Sequence, residues 1–411
     1  MAGTELTITV DTLSNGLQIV HRHAPGATEY CGLTINAGSR DEHQPATFGL
    51  AHFVEHTIFK GSSRRTDSYI RNRMESVGGE LNAFTTKEET TIYAAATAGN
   101  HSRACRLIGE LVTESIFPHK KLALEREVIC DEIDSYLDSP CDSIFDSFDE
   151  MVYAGHSLAH NILGSKQTVT AIDSETCRNW LRDKFTANNS VYFYLGPESP
   201  RKVFADANRA FAALPHDGLP SMRTLPQLCA ADNRLIDNGA HQCHTLMGAP
   251  IGGLHSPQRF ATSLAANILG GPGMNSWLNL ALRERRGLVY TVEASTALLS
   301  DCGMMTIYFG CDHSDLRKCT LIVEQTLNRL AEKQLTERAL SAYKRQYLGQ
   351  LTLGLDNKEQ LALSTGRAIL HGLQPPSAKV TEDIIRAISP SDFQDAAIVL
   401  AKAPLRTLTL A

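Results

Sequence analysis

The sequence predicts an α+β protein built from two homologous domains, each a mixed β-sheet flanked by helices. Three observations lead to this prediction. The chain has 411 residues, which is more than a single compact core usually holds. Apolar residues change between strand-like and helix-like spacing along both halves. The order of the predicted elements also repeats, and the tripeptide Thr-Ile-Tyr recurs in the matching strand, at 91–93 and 306–308.

The first half opens with two predicted strands, Leu17–His21 and Cys31–Ala37, and continues with a helix from Phe48 to Phe59. A second helix over Asp67–Val77 is expected to end at Gly78-Gly79, because glycine adopts the left-handed cap conformation at little cost. The rest of this half is predicted as strands at 80–86 and 90–97, mainly helices over 101–184, and a closing strand at 191–195.

The segment 196–226 has weak periodicity and several Pro and Gly residues, so we place a linker near residue 220. This linker divides the chain into an N-terminal domain, 1–220, and a C-terminal domain, 221–411. The second domain is predicted to repeat the plan of the first, with helices at 257–269 and 275–286, strands at 288–297 and 304–311, and further helices from Ser314.

The composition limits the class of partner. A formal net charge of −6 disfavours nucleic acid or an anionic membrane, because both attract clustered Lys and Arg. No segment approaches the roughly 18 apolar residues of a membrane-spanning helix, and the first thirty residues lack the apolar core of a secretory signal. The ten cysteines include no Cys-x-x-Cys pair, which is typical of reduced, mostly buried thiols in a cytoplasmic protein.

The most informative stretch is His52-Phe53-Val54-Glu55-His56. Helix positions i and i+4 share a face, so both imidazoles could bind one divalent metal ion. Glu55 would lie beside them and face a water in an open coordination position. The order His-x-x-Glu-His is a signature of the inverted zinc peptidases, although five residues alone also occur by accident.

A catalytic zinc site normally has a third protein ligand. The predicted helix His119–Leu137 offers three candidates, Glu125, Glu127 and Glu132. Glu125 and Glu132 are seven residues apart, close to two helical turns, so they share one face. Either one could be the ligand while the other orients a ligand side chain.

At these residues the sequence resembles the group of zinc metallopeptidases that includes pitrilysin, insulin-degrading enzyme and mitochondrial processing peptidase. In that family a glutamate ligand follows the inverted motif at the distance that separates His56 from Glu132, which is 76 residues. The resemblance therefore implies His52, His56 and Glu132 as ligands of one Zn²⁺ per chain. It also implies Glu55 as the catalytic base and Glu125 as the supporting carboxylate.

The resemblance extends over nearly the whole chain. The stretch from Gly78 to Thr85 is similar to the family's Gly-Gly…Asn-Ala strand, which implies that Asn82, Ala83 and Phe84 accept substrate as an added strand. Arg283 and Tyr290 match the family's pair that contacts the scissile carbonyl. By themselves these two side chains would be interpreted as a solvated helix residue and a half-buried strand residue.

The loop His156–Gly164 resembles a family loop but differs from it at four positions. We therefore expect no chemistry from this loop. His156 and His160 are interpreted as local hydrogen-bonding residues and not as metal ligands.

Together these features predict a cytoplasmic zinc metalloendopeptidase that hydrolyses peptides or unfolded polypeptides. Larger family members carry four such units and this chain has two, so the resemblance implies a homodimer in which Arg283 and Tyr290 complete the partner's zinc site. The alternatives are an enzyme that needs a different partner chain, and a non-catalytic peptide-binding or assembly subunit of the same fold. Mn²⁺ or Co²⁺ could occupy the same ligands.

Overall fold

The computed structural model describes residues 7–219, 221–230 and 232–411. The predicted domain boundary at residue 220 lies outside the described residues, and the division into 1–220 and 221–411 stays a prediction. Contacts divide the chain into two compact units that are discontinuous in sequence. The first unit consists of 1–134, 160–224 and 354–377, and the second of 135–159, 225–353 and 378–411.

The strands of both units are, in chain order, β1 Ile8–Thr12, β2 Gln18–His23, β3 Thr28–Ile35, β4 Glu80–Thr85, β5 Thr90–Thr97, β6 Ser190–Gly196, β7 Asn233–Ile236, β8 Cys243–Ile251, β9 Val289–Leu298, β10 Gly303–Cys311 and β11 Arg406–Leu410. They form one sheet in each unit, with the orders β1-β2-β6-β3-β5-β4 and β7-β11-β8-β10-β9. Only β2 with β6, and β7 with β11, pair in parallel among these described strands. Apart from the extra strand β1, the two sheets therefore have the same order and the same position of the parallel pair.

The α-helices are α1 Leu50–Thr57, α2 Asp67–Glu75, α3 His101–Glu114, α4 His119–Leu137, α5 Pro140–Val152, α6 Lys166–Ala171, α7 Ser174–Lys184, α8 Pro200–Ala210, α9 Arg259–Gly270, α10 Leu316–Glu332, α11 Glu337–Leu355, α12 Lys358–Leu370, α13 Ala378–Ala387 and α14 Pro390–Lys402. Each sheet is flanked by helices, so the predicted α+β class is confirmed.

Strand side chains alternate between two cores in the first unit. Ile19 and Leu33 pack with Phe53 of α1 on one face of the sheet. Val20 and Phe193 pack with Leu361 of α12 on the other face. The metal-motif helix α1 is therefore held against the sheet by an apolar face, and α12 closes the opposite side.

In the second unit, strand side chains likewise alternate between two cores. Met247 and Ile307 pack with Leu264 of α9 on one face, and Leu246 packs with Phe148 of α5 on the other. Helix α5 comes from the first half of the chain, whereas α12, which covers the first sheet, comes from the second half. Each sheet is thus covered on one face by a single helix from the opposite half.

Several elements differ from the sequence prediction. Strands β1, β7, β8 and β11 have no counterpart in it, and the proposed linker segment contains helix α8. Ser199 accepts a hydrogen bond from the Lys202 amide and Pro200 occupies the first helical turn, so the proline marks a helix start where the prediction saw a loop. The predicted helix 275–286 contains a π-helical turn, Asn279–Glu284.

Within the three described ranges, no helix combines the length and the apolar character that crossing a membrane requires.

Candidate metal centre

Helix α1 is short and largely buried. It begins after Gly49, whose φ of 93° is a left-handed conformation that glycine adopts readily. Phe53 and Val54 are fully buried against the sheet, and a 3₁₀ turn, Ile58–Lys60, continues the helix. The helical spacing of four residues places His52 and His56 side by side, with ring centroids 4.4 Å apart.

Glu132 of α4 faces both imidazoles. Its Oε1 lies 3.7 Å from His52 Nε2 and its Oε2 lies 3.5 Å from His56 Nε2. Each of the three residues offers one ligand atom, and these atoms all lie within 4.8 Å of one another. The structure therefore brings the three predicted metal ligands together, whereas Glu127, an alternative from the sequence, is exposed on another side of α4.

Burial sets the charge of His52. Loss of solvent, with a smaller contribution from the charge of His56, lowers the pKa of His52 to about 3. The ring is therefore neutral near pH 7, which is the form that binds a metal ion. Its buried Nδ1 atom has no hydrogen-bond partner among the described residues.

Glu55 lies between the two histidines on the helix. Burial raises the pKa of this carboxyl, and the nearby charge of Glu132 acts in the same direction. Interactions with Thr85 and the charge of His56 oppose the rise. Glu55 thus belongs to the same electrostatic cluster as the predicted ligands and lies near the end of strand β4.

Glu125 holds His56 from the far side of the ring. Its Oε1 lies 3.1 Å from His56 Nδ1, and its Oε2 lies 2.6 Å from Lys60 Nζ. Burial opposes ionisation of Glu125, but these two hydrogen bonds outweigh it and lower the pKa of the carboxyl. A carboxylate on the outer nitrogen of a ligand histidine fixes the ring orientation.

Lys60 was missed by the sequence analysis. A signal was available, since Lys60 follows His56 by four residues and so continues the same side of the helix into its 3₁₀ turn. Because Glu125 accepts hydrogen bonds from both of these residues, Lys60 fixes the carboxylate that in turn orients His56.

The predicted substrate-binding residues Asn82, Ala83 and Phe84 lie on β4. This strand pairs with β5 on one side and ends the sheet, so its other side is an edge among the described strands. β4 also packs against α1. An unpaired strand edge offers N–H and C=O groups to an added peptide strand.

Arg283 and Tyr290 belong to the second unit. Arg283 lies in the last part of the π-helical turn Asn279–Glu284, and Tyr290 lies in β9, which is an edge of the second sheet in the described part of the chain. The guanidinium carbon of Arg283 lies 5.6 Å from the centre of the Tyr290 ring. Tyr290 is 83% exposed, so its phenol is open to contact with another molecule.

An inverted His-x-x-Glu-His helix opposite an acidic helix, on a sheet whose plan recurs in a second unit, defines the class of inverted-motif metallopeptidases. Two family matches agree: Insulinase (Peptidase family M16) matches residues 18–166, and Peptidase M16 inactive domain matches residues 171–347. An uncharacterized zinc protease of Streptomyces coelicolor is 30% identical over 401 residues, 93% of this chain and 86% of the relative. The chain belongs to peptidase family M16, in its small two-domain form.

Other known proteins are also similar. The uncharacterized zinc protease YmxG of Bacillus subtilis is 29% identical over 359 residues, 87% of this chain and 86% of its own. Among solved structures, a peptidase M16 inactive domain from Pseudomonas fluorescens matches with a TM-score of 0.89 at 18% identity, covering 98% of both chains. A protease from Helicobacter pylori gives the same TM-score and identity, covering 99% of this chain and 100% of its own. These two structures share the fold.

Proposed function

We propose that the chain is a zinc-dependent endopeptidase that hydrolyses peptides or unfolded polypeptides. The observation that carries this proposal is the convergence of His52, His56 and Glu132 to within 4.8 Å, with Glu55 on the same helix. The match to an inactive domain covers residues 171–347 and includes none of these four side chains.

The donor set fits Zn²⁺. Two imidazole nitrogens and one carboxylate are ligands that zinc accepts, and a set of three leaves a position for water or substrate. The neutral, buried His52 and the carboxylate behind His56 are both arrangements that support metal binding. A Zn²⁺ ion held there would supply Lewis-acid chemistry, lowering the pKa of water and polarising the scissile carbonyl.

Residues of the protein itself would bind the peptide and transfer the proton. The β4 edge beside α1 would hold the peptide in extended form, with Asn82, Ala83 and Phe84 along it. The Glu55 carboxylate would accept a proton from the attacking water and return it to the leaving amine. Main-chain pairing along the edge would allow many peptide sequences to bind.

The variant Glu55→Gln tests this function. We expect peptide hydrolysis to fall by about 10²–10⁴-fold with bound zinc unchanged, because the amide cannot accept the proton. Glu110→Gln is the matched control, since Glu110 is a buried glutamate of the same unit that bonds to Ser62. A peptide-library digest with and without chelator, together with metal analysis, provides the readout. Full activity of Glu55→Gln, or chelator-resistant hydrolysis by the wild type, would refute the proposal.

A homodimer with active sites completed across subunits is part of the proposal. The exposed Tyr290 and its neighbour Arg283 would donate hydrogen bonds to the oxyanion formed in the partner's site. Both half-sites occur in one sequence, which supports two identical subunits over a different partner chain. Mixing Glu55→Gln and Arg283→Ala chains should restore one intact site per heterodimer. Proven heterodimers without recovered activity would count against this arrangement.

We further propose a cytoplasmic location. All ten cysteines are free thiols in the structure, and six of them are buried in the apolar cores of the two units. Thiols persist in this form in a reducing compartment.

A further inference from the structure

The loop after residue 159 received no function from the sequence, yet it contacts the start of the metal-motif helix. His160 Nε2 lies 2.9 Å from Glu42 Oε2, and the His160 ring stacks on Phe48 with centroids 3.8 Å apart and planes 2° apart. Lys87 Nζ donates to the His160 carbonyl at 2.8 Å, which fixes the loop from a third side.

Glu42 caps α1. Its Oε2 accepts a hydrogen bond from the Gly49 amide at 2.8 Å, and its Oε1 accepts one from the Ala51 amide at 2.7 Å. The first amides of a helix have no partner within the helix, and Gly49 has no side chain that could cap them. A carboxylate at this end also interacts favourably with the helix dipole. Glu42 therefore fixes the residue immediately before His52.

The backbone of the loop packs directly on the same turn. A Cβ atom added to Gly49 would lie 2.6 Å from the Leu163 carbonyl oxygen, and Gly164 approaches the backbone of Phe48 and Gly49 in the same way. Gly49 and Gly164 both have positive φ angles, 93° and 71°. The two segments can approach this closely because neither glycine carries a side chain.

We propose that Glu42 and His160 are positioning residues that fix helix α1 along its axis and thereby place His52, Glu55 and His56 relative to Glu132. Glu42 is fully buried, so its carboxylate depends on His160 and the two helix amides for hydrogen bonds. Without His160 the cap loses its side-chain partner. Helix α1 has only eight residues and lacks the length to hold its position alone. This inference rests on the proposed metal site.

Two substitutions at His160 separate the effect of its hydrogen bond to Glu42 from the effect of its stacking on Phe48. His160→Phe keeps a ring on Phe48 and removes the bond to Glu42, whereas His160→Gln keeps a donor and removes the ring. His101→Phe is the matched control: His101, the first residue of α3, is a fully buried histidine of the same unit that pairs with Asp206 of α8. It therefore measures the loss of a buried histidine and carboxylate pair away from α1.

Three measurements at one neutral pH provide the readout: zinc affinity by chelator competition, the visible spectrum of the Co²⁺-loaded protein, and amide exchange of residues 50–57 in metal-free protein. We expect His160→Phe to bind zinc roughly tenfold more weakly, to alter the Co²⁺ bands and to speed exchange in α1. His160→Gln should restore affinity to within about threefold of wild type, because it again supplies a donor to Glu42. His101→Phe should lower thermal stability and leave all three readouts unchanged.

The inference is overturned if His160→Phe resembles His101→Phe in all three readouts, or if His160→Gln is as impaired as His160→Phe. Should His160→Phe not fold, Glu42→Gln replaces it under the same criteria. A wild-type protein that binds no metal would refute the proposed function. Amide exchange of α1 would then decide the positioning role by itself.

Discussion

The two units share one fold but place different side chains where two equivalent helices meet. In the first unit, α1 and α4 meet through His52, His56 and Glu132. In the second unit, the helices of the same order are α9 and α11, and they meet through a hydrogen bond of 2.8 Å from Asn267 to Gln350. One contact is a set of candidate metal-ligand atoms and the other is a pair of neutral amides.

The chemistry of the two contacts explains their different capacity to bind a metal ion. Two amides satisfy each other, since each has a donor and an acceptor. Two imidazoles and a carboxylate present several lone pairs to one point, which favours a cation. The buried residues of α9 are apolar or small, including Leu264 and Ile268, so the second unit uses this helix for packing. The fold thus supplies the scaffold twice, and the side chains decide which copy carries the candidate metal centre.

The largest expected effect comes from removing a ligand on one side of this comparison. Glu132→Ala should lose stoichiometric metal and all hydrolysis above background, because two imidazoles alone do not make a stable zinc site. Metal analysis and a peptide assay measure both losses. Gln350→Ala, the counterpart in α11, should keep metal and activity while losing about 1 kcal/mol of stability from the broken amide pair. Equal metal loss in Glu132→Ala and Gln350→Ala would contradict the assignment of metal binding to the first unit.

A smaller effect is expected from Lys60→Met, which removes the cation that holds Glu125. The carboxylate would orient His56 less firmly, so zinc affinity should fall roughly tenfold. Chelator competition measures this change. The matched control is Lys344→Met in the second unit, because Lys344 is a buried lysine that donates to the Arg386 carbonyl. Unchanged zinc affinity in Lys60→Met would contradict a role of Lys60 in metal binding.

The prediction with the smallest effect on the metal centre concerns the acid stability of the metal-free protein. Burial, opposed by Asp206, lowers the pKa of His101 from 6.5 to about 4. Folding therefore disfavours protonation, and the stabilisation by neutral His101 is complete above pH 6.5 and is lost as the pH falls toward 4. Between pH 8 and pH 5 we expect the first unit to lose about 1–2 kcal/mol through this residue.

Each unit contains one tryptophan, Trp180 in the first and Trp277 in the second. Urea unfolding at pH 8 and pH 5, followed by fluorescence in Trp180→Phe and Trp277→Phe backgrounds, reports on each unit separately. His101→Phe should reduce the acid sensitivity reported by Trp180 and leave the Trp277 signal unchanged. An unaltered pH dependence in the Trp180 signal would contradict the assignment to His101.

Local patterns predicted much of this protein because they depend on neighbours in sequence. The spacing of His52, Glu55 and His56 places them together on any helix, and glycine-terminated segments such as Asp67–Val77 were correctly predicted as helical. Strand β8 escaped prediction, since Gly248 and Pro250 interrupt its pattern and its partners β10 and β11 lie far along the chain.

The sequence by itself determined that two histidines and a glutamate share one helix, and that one chain contains the α+β plan twice. Only the tertiary structure decided that Glu127 faces away, that Lys60 holds Glu125, and that Glu42 meets His160 across 118 residues of chain. It also decided that α5 and α12 each cover the sheet of the opposite half. The reason is physical: helical periodicity acts over a few residues, whereas these contacts arise when distant segments share one buried surface.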